Sequence, residues 1–336
     1  MGIKNLNTLI EKFSPVNRKK HLSYFRNKTF AIDTNVYLYK YLYGKSNHID
    51  GMFFMINKFK KFNINPIFVF DGKPPEEKKN TIENRKLLKN KLQERLMNLK
   101  AKLTLTDIEN DYSKLEEEIK NIEKRIIYVN KNVIKKTKLL FNLMGITYIN
   151  ADTEAEHYCS KLCRLNLVDG VVSEDMDTIA CGSKLVLRNF TNRDDFVEAY
   201  FLDQILYDME LNYDEFVDLC ILLGNDYNYR PRGYNPDKLL KLILRYRSIE
   251  TILKKKIINW NCDYKKIRNI IKLNNINIQK ELNNENSNIS IEKIKDFLKK
   301  NSNIDERTYI HRINLIYSPK KQLNFFDSKY SLRMFR

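Results

Sequence analysis

"FAIDTN" (residues 30–35), "PIFVFDG" (66–72) and "DGVVSED" (169–175) decide how this chain folds. Each is a short apolar, β-rich run that ends on an acid. Helical stretches separate the three, which predicts an α/β fold with a mainly parallel central sheet flanked by helices. In such sheets, ligands bind outside the carboxyl ends of the strands. Asp33, Asp71 and Asp175 would all emerge there. One acid at a strand end is ordinarily a turn residue. Three at equivalent ends point to a single site.

The remaining composition sets the partner class. The chain has 336 residues, of which 43% are apolar and 30% charged, enough for a real core. A formal net charge of +18 points to a polyanionic partner, nucleic acid first. Five cysteines with no CxxC pair read as reduced thiols in an intracellular setting. Together with only four histidines, they argue against a zinc site. No apolar run approaches the roughly 18–20 residues that span a bilayer. "MGIKNL" has no signal-peptide core, and Leu6 stands where a myristoylation signal wants Ser or Thr.

Residues 86–138 break the strand–helix alternation. Leu88, Leu92, Leu96, Leu99 and Leu103 recur at spacings of four and three, and Leu115, Ile119, Ile122 and Ile126 resume the pattern. Ser113 and Glu116 fit a capping box at the restart. The spacing predicts a two-helix hairpin with charged outer faces and a narrow apolar seam. Further on, "DEFVDLCILLG" reads as a helix stopped by Gly224, "NDYNYRPRGYNP" as a loop, and "DKLLKLILRYRSIETIL" as helix again. Residues 263–300 read as short helices around a polar loop near 283–290.

More acids follow apolar ends: Glu154, Glu156, Asp177 and Asp226 join Asp33, Asp71 and Asp175. Seven crowded carboxylates repel, and several would hold protons at neutral pH. Divalent cations remove that difficulty, and oxygen-only ligands favour Mg²⁺ or Mn²⁺. Two such ions about 4 Å apart can activate water and stabilise the leaving oxygen of a phosphodiester. Each acid also has a local alternative: Glu156 as the partner of a Thr153 cap, Glu154 beside a helix start, Asp175 as an N-cap, Asp226 as a loop acid. Two acid-x-acid pairs plus lone Asp residues at strand ends favour the metal site.

At these residues the chain resembles the flap endonuclease family of structure-specific 5′ nucleases in the Rad2/XPG superfamily. The resemblance runs through "MGIKNL", "AIDTNVYLY", "FVFDGKPPEEKKNTIENR", "LMGITYINADTEAEHYC", "SEDMDTIACGS" and "FVDLCILLGNDY" to "DERTYIHRINLI" at 305–316. It implies a PIN-like 5′ nuclease fold with a helical arch and a helix–two-turn–helix element. One nuclease domain would cover 1–316: an N-terminal region (1–100), the arch insertion (86–138), an internal region (139–260) with the helix–two-turn–helix near 216–250, and a helical part (261–316). A tail (317–336) would follow.

The resemblance also assigns roles. Asp33, Asp71, Glu154 and Glu156 would serve mainly one metal, and Asp175, Asp177 and Asp226 the other, with Glu156 near both. Two Mg²⁺ would bind, with Mn²⁺ as a substitute. Lys78 and Arg85, seven residues apart and so on one helical face, match basic positions that reach the scissile phosphate. Cations there would stabilise charge developing in the transition state. Tyr39 matches an aromatic that stacks on DNA, and Gly2 a small residue that lies close to the metals. Gly233, Asn235 and Lys238 fall in the duplex-binding element, which can hold K⁺. Asn235 stands where the family has a second glycine, and Asn is the next-best residue for a left-handed backbone. Asp237 replaces a base and would weaken phosphate attraction.

"KKQLNFFD" holds Gln322, Leu323, Phe325 and Phe326, a shortened form of the family's sliding-clamp motif. Folding of those phenylalanines onto the core is the other reading. The implied activity is Mg²⁺-dependent 5′ flap endonuclease and 5′–3′ exonuclease cleavage of DNA in replication and repair, by a monomer. It would leave a 5′-phosphate and a 3′-hydroxyl. The setting would be the nucleus or a cytoplasmic or viral replication site. Rival readings are a junction nuclease of recombination, an RNA-decay nuclease of the same fold, and a DNA-binding scaffold without catalysis. Within "SEDMDTIACG" (173–182), Asp175 and Asp177 are the expected ligands, while Glu174 and Met176 face elsewhere.

Overall fold

The structure is a computed structural model that describes residues 2–15, 18–43, 47–104, 109–274, 276, 278 and 289–317. Among the described residues, seven strands form one sheet: β1 (Lys19–His21), β2 (Thr29–Asp33), β3 (Asn65–Phe70), β4 (Thr147–Asn150), β5 (Gly170–Val172), β6 (Leu185–Arg188) and β7 (Phe196–Phe201). Their order is β1-β7-β6-β5-β2-β3-β4. The five strands from β6 to β4 run parallel, while β7 and β1 close one edge antiparallel. The three quoted runs are β2, β3 and β5, at the centre of the sheet.

Both faces of that centre are covered, so its strands read as continuous apolar runs. Period-two geometry divides their side chains between two cores. Phe30, Ile32, Phe68, Phe70 and Val172 belong to one. Ala31, Val69 and Val171 belong to the other.

The helices are α1 (Leu6–Phe13), α2 (Thr34–Tyr43), α3 (His48–Lys61), α4 (Lys79–Leu103), α5 (Glu109–Arg125), α6 (Lys131–Leu143), α7 (Ala155–Arg164) and α8 (Asp177–Ala180), followed by α9 (Leu202–Asp208), α10 (Tyr213–Leu223), α11 (Pro236–Tyr246), α12 (Ile249–Lys254), α13 (Tyr264–Ile271), α14 (Ile291–Asn301) and α15 (Glu306–Tyr317). Apolar residues of α2, α3, α6, α14 and α15 fill the Phe30 core. Those of α1 and of α7 to α13 fill the Ala31 core. Among the described residues, no helix is long and apolar enough to cross a membrane.

The hairpin forms, with corrections. Its seam buries Leu99, Ile119 and Ile122, flanked by Leu92, Leu96, Leu103, Leu115 and Ile126. Leu88 lies outside the seam and is 62% exposed, because the arms meet only beyond it. Ser113 sits within α5 rather than at its start, so the expected capping box has no helix end to cap. Residues 131–138 belong to α6, which packs on the body through Val133, Leu140 and Phe141. The helical stretch after Pro236 is broken at Arg247, which takes a left-handed φ of 66° and separates α11 from α12. Gly224 ends α10, as expected. Residues 279–288 and the tail 318–336, with Gln322, Leu323, Phe325 and Phe326, lie outside the described residues.

Candidate metal centre

Strand order reverses between β2 and β5: β3 and β4 extend to one side, β5 and β6 to the other. Such a switch point opens a crevice at the carboxyl ends of the strands. Asp33 is the last residue of β2 and also caps α2, accepting the Val36 N–H at 3.3 Å. Asp71 follows β3; it accepts the Ala155 N–H at 2.8 Å and an amide proton of Asn35. Beyond β5, Asp175 accepts the Asp177 N–H at 3.1 Å. Asp177 in turn accepts the Ile3 N–H at 2.6 Å.

The remaining acids come from α7 and the loop after α10. Glu154 occupies the N-cap position of α7 without capping it, and Glu156 lies in the first turn. The Thr153 capping box does not form, so Glu156 is free of that local role. Asp226 follows the Gly224 stop. Carboxylate oxygens of Glu156, Asp175 and Asp177 lie within 4.8 Å of one another, and carboxylate oxygens of Glu154 and Glu156 form a second group of that span with a ring nitrogen of His157. Glu156 belongs to both. Glu174 turns away to Lys40, at 2.9 Å, and Met176 is buried.

Two cations enter the same crevice. Lys78 ends a 3₁₀ turn (Glu76–Lys78) ahead of α4 and is buried. Its ammonium lies 2.5 Å from Glu154, 3.2 Å from Asp226 and 3.6 Å from Glu156. Arg85, two turns along, donates to both oxygens of Asp226 at 2.8 and 2.9 Å. Thr81 donates to the Asp226 carbonyl at 2.7 Å.

The electrostatics are those of an under-neutralised acid cluster. Burial, then Asp71, pushes Asp33 well above the usual carboxylate range. Burial, then Asp175 and Asp177, does the same to Glu156. Burial, then Asp175, raises Asp177. Burial also raises Asp71 and Asp175. Asp226 differs: burial works to raise it, but Lys78 and Arg85 outweigh that and hold it below normal. Burial opposes the charge on Lys78, yet Glu156, Glu154 and Asp226 overcome it and keep the ammonium. Hard divalent cations satisfy such an all-oxygen set, since they stabilise the ionised form of every carboxylate they touch.

Gly2 packs directly on this cluster. With φ at +101°, a Cβ there would meet Asp177 Oδ1 at 2.5 Å and Asp175 Oδ1 closer still. Tyr39, on α2, is 44% exposed rather than in the core. Lys89 of α4 lies 5.8 Å from its ring and 4.2 Å from that of Tyr128.

Gly233, Asn235 and Lys238 sit at the start of α11, not among the acids. Gly233 has φ +81° with open space around it. Asn235 corrects the sequence expectation: its backbone is extended (φ −86°, ψ 166°), not left-handed. Its side chain accepts the Lys238 N–H at 2.9 Å, so a helix cap, not backbone freedom, is the property used. Asp237 is paired with Lys12 of α1 at 2.6 Å.

Sequence reasoning missed Tyr227 and His157. Tyr227 donates to Glu154 Oε2 at 3.0 Å, and its ring faces that of the buried His157. Burial lowers His157 to about 4, so it is neutral at pH 7. The only signal was the Tyr that ends "GNDY". Asn35, which orients Asp71, was legible only as the residue after "IDT".

The XPG N-terminal domain family matches residues 1–92, and the XPG I-region family matches residues 145–226. Flap endonuclease 1 of Encephalitozoon cuniculi is 36% identical over 271 residues, covering 76% of this chain and 75% of that protein. Two solved structures share the fold. The flap endonuclease-1 from Methanococcus jannaschii has a TM-score of 0.65 at 24% identity, covering 91% of this chain and 97% of that one. The catalytic core of Rad2 in complex with DNA substrate has a TM-score of 0.64 at 22% identity, covering 95% and 100%.

Proposed function

This chain belongs to the flap endonuclease family of Rad2/XPG nucleases, and from that premise we propose a structure-specific 5′ flap endonuclease of DNA replication and repair. It hydrolyses DNA phosphodiesters where a single strand joins a duplex, with Mg²⁺ as its cofactor. The observation that carries this reading is the convergence of seven carboxylates with Lys78 and Arg85 at the strand switch point.

Asp33, Asp71, Glu154, Glu156, Asp175, Asp177 and Asp226 would hold two divalent ions. When bound, such ions supply an activated water and stabilise the leaving oxygen. The chain's own residues do the rest. Asn35 and the Ala155 N–H orient Asp71, and the Ile3 N–H orients Asp177. Lys78 and Arg85 border these acids and meet the non-bridging oxygens of the scissile phosphate, where negative charge grows.

Tyr39 offers a half-exposed ring to the base beside the cut; such stacking is worth about 1–3 kcal/mol. The α4–α5 hairpin is the arch that admits the single strand. The loop through Gly233, the Asn235-capped start of α11 and Lys238 meet the duplex backbone, with K⁺ as a candidate ion there. Gln322, Leu323, Phe325 and Phe326 form a shortened sliding-clamp contact on a monomeric, intracellular enzyme.

The deciding experiment offers a 5′-flap duplex with Mg²⁺ to wild type and to Asp175→Ala. Cleavage at the junction by wild type alone is expected. Equal cleavage by both, or by neither, sinks the reading. Gapped duplex, four-way DNA and an RNA flap in parallel test the rival substrates.

A further inference from the structure

Tyr227 follows Asp226 directly, and Asn225 Oδ1 accepts its backbone N–H at 2.9 Å. Its hydroxyl reaches Glu154 Oε2 at 3.0 Å, across 73 residues of sequence. Glu154 Oε1 is meanwhile held by Lys78 at 2.5 Å. Both oxygens of this side chain are therefore bonded, although it makes no cap hydrogen bond to the start of α7; His157 Nδ1, from the same helix, lies 3.9 Å from Oε2. His157, on the first turn of α7, lies nearly parallel to the Tyr227 ring, at 23° and 6.4 Å between centroids. Its Nε2 is 3.5 Å from the Tyr227 hydroxyl.

A phenol has one proton, and the carboxylate is the stronger acceptor. With that proton directed to Glu154, the tautomer that suits the network has His157 Nε2–H facing the phenol oxygen. The order is then imidazole to phenol to carboxylate. The chemical difference between the two holds on Glu154 is decisive. Lys78 carries a positive charge and competes with a divalent cation for the carboxylate. Tyr227 is neutral, so it orients Glu154 without neutralising it.

We propose that Tyr227, backed by His157, is a positioning residue that holds Glu154 as a preset ligand for a divalent cation. The proposal rests on the metal-centre reading above and adds residues that are not themselves ligands. Partners behind a metal ligand fix its rotamer, and losing one typically weakens metal affinity about 10–100-fold.

The test measures Mn²⁺ binding to the full-length chain without DNA, by the loss of the free-ion electron paramagnetic resonance signal. Tyr227→Phe keeps the ring and removes only the donor. It is expected to weaken Mn²⁺ binding about tenfold or more. KM for the flap DNA should stay unchanged, and high Mg²⁺ should restore cleavage. In a Glu154→Ala background the same change should matter less than about twofold, since its target is gone. His157→Ala should weaken binding in the same direction, and His157→Gln, which retains an N–H donor, should recover part of it.

Tyr227→Phe that binds Mn²⁺ as wild type does, or that loses affinity equally in both backgrounds, overturns the proposal. Circular dichroism checks folding, and if Tyr227→Phe is misfolded the two His157 variants decide. Glu156→Ala separates the two levels: if it binds Mn²⁺ as wild type does, the metal centre itself falls, whereas normal loss there with no effect at Tyr227 removes only this inference.

Discussion

Gly2→Ala is the smallest change that reaches the centre of the site. The added methyl carbon would sit 2.5 Å from Asp177 Oδ1, against an ordinary separation of at least 3.4 Å. A displacement of about 1 Å is therefore unavoidable, either of two carboxylates or of the N-terminal segment. The backbone cannot absorb it cheaply, because φ at +101° is a region that Ala adopts only with strain of about 1–3 kcal/mol. If the segment moves, it releases the Ile3 N–H from Asp177, a charge-assisted bond worth about 1.5–3 kcal/mol.

The expected stability loss is then about 2 kcal/mol, or about 3 °C in Tm from the entropy of unfolding a chain of this size. The activity loss is larger, since a misplacement of about 1 Å can cost about 100-fold, which is about 2.7 kcal/mol of transition-state stabilisation. Single-turnover cleavage of a 5′-flap duplex at saturating Mg²⁺ reads the rate, and differential scanning fluorimetry reads Tm. A Gly2→Ala protein that cleaves within about twofold of wild type refutes the reasoning, because the contact would then have relaxed without moving any group the reaction needs.

Three further outcomes follow from the same geometry. Lys78→Met leaves Glu154, Glu156 and Asp226 without their ammonium, so metal-free protein should lose about 3 kcal/mol in urea and regain much of it with Mg²⁺, while flap cleavage falls at least about 100-fold; unchanged stability would contradict the pairing. Asp33, Glu156 and Asp177 are raised, so the metal-free folded state binds more protons than the unfolded chain and loses stability as pH rises above the ordinary carboxylate range. The Tm gain from saturating Mg²⁺ should therefore widen as pH rises above the ordinary carboxylate range, and a pH-independent gain would count against it. Arg268 of α13 binds the buried Asp218 of α10 at 2.6 Å and Glu250 of α12 at 2.7 Å. Arg268→Ala should cost about 3–5 kcal/mol in urea, part of it recovered by Asp218→Asn, and a loss under about 1 kcal/mol would show the three helices are held otherwise.

How much was legible depends on how local each determinant is. The three strands and the acids at their ends were readable because a parallel sheet buried on both faces requires continuous apolar runs, and those runs stop where the chain leaves the sheet. The arch seam was readable from its spacing, but Leu88 was not separable from it, since periodicity says which face a residue occupies and not whether a partner arm reaches that far. Asn235 was misread for a related reason. Asn supports both a left-handed turn and a helix cap, and only the position of Pro236 and the Lys238 N–H selects the cap. The Ser113 and Thr153 boxes failed because a capping motif acts only where tertiary packing starts the helix, and α5 begins before Ser113 while α7 begins after Glu154.

By itself, then, the sequence determined the sheet and the hairpin seam, because each is written in runs of a few residues with a fixed period; it placed seven acids after apolar runs, while Lys78 and Arg85 were singled out only by the family resemblance. Tertiary structure alone decided that Lys78 stands inside the acid cluster, that Gly2 touches two carboxylates, and that Tyr227 and His157 stand behind Glu154. Those contacts join residues tens to hundreds of positions apart. Their geometry depends on where the strand order reverses, and no local pattern of side chains encodes that.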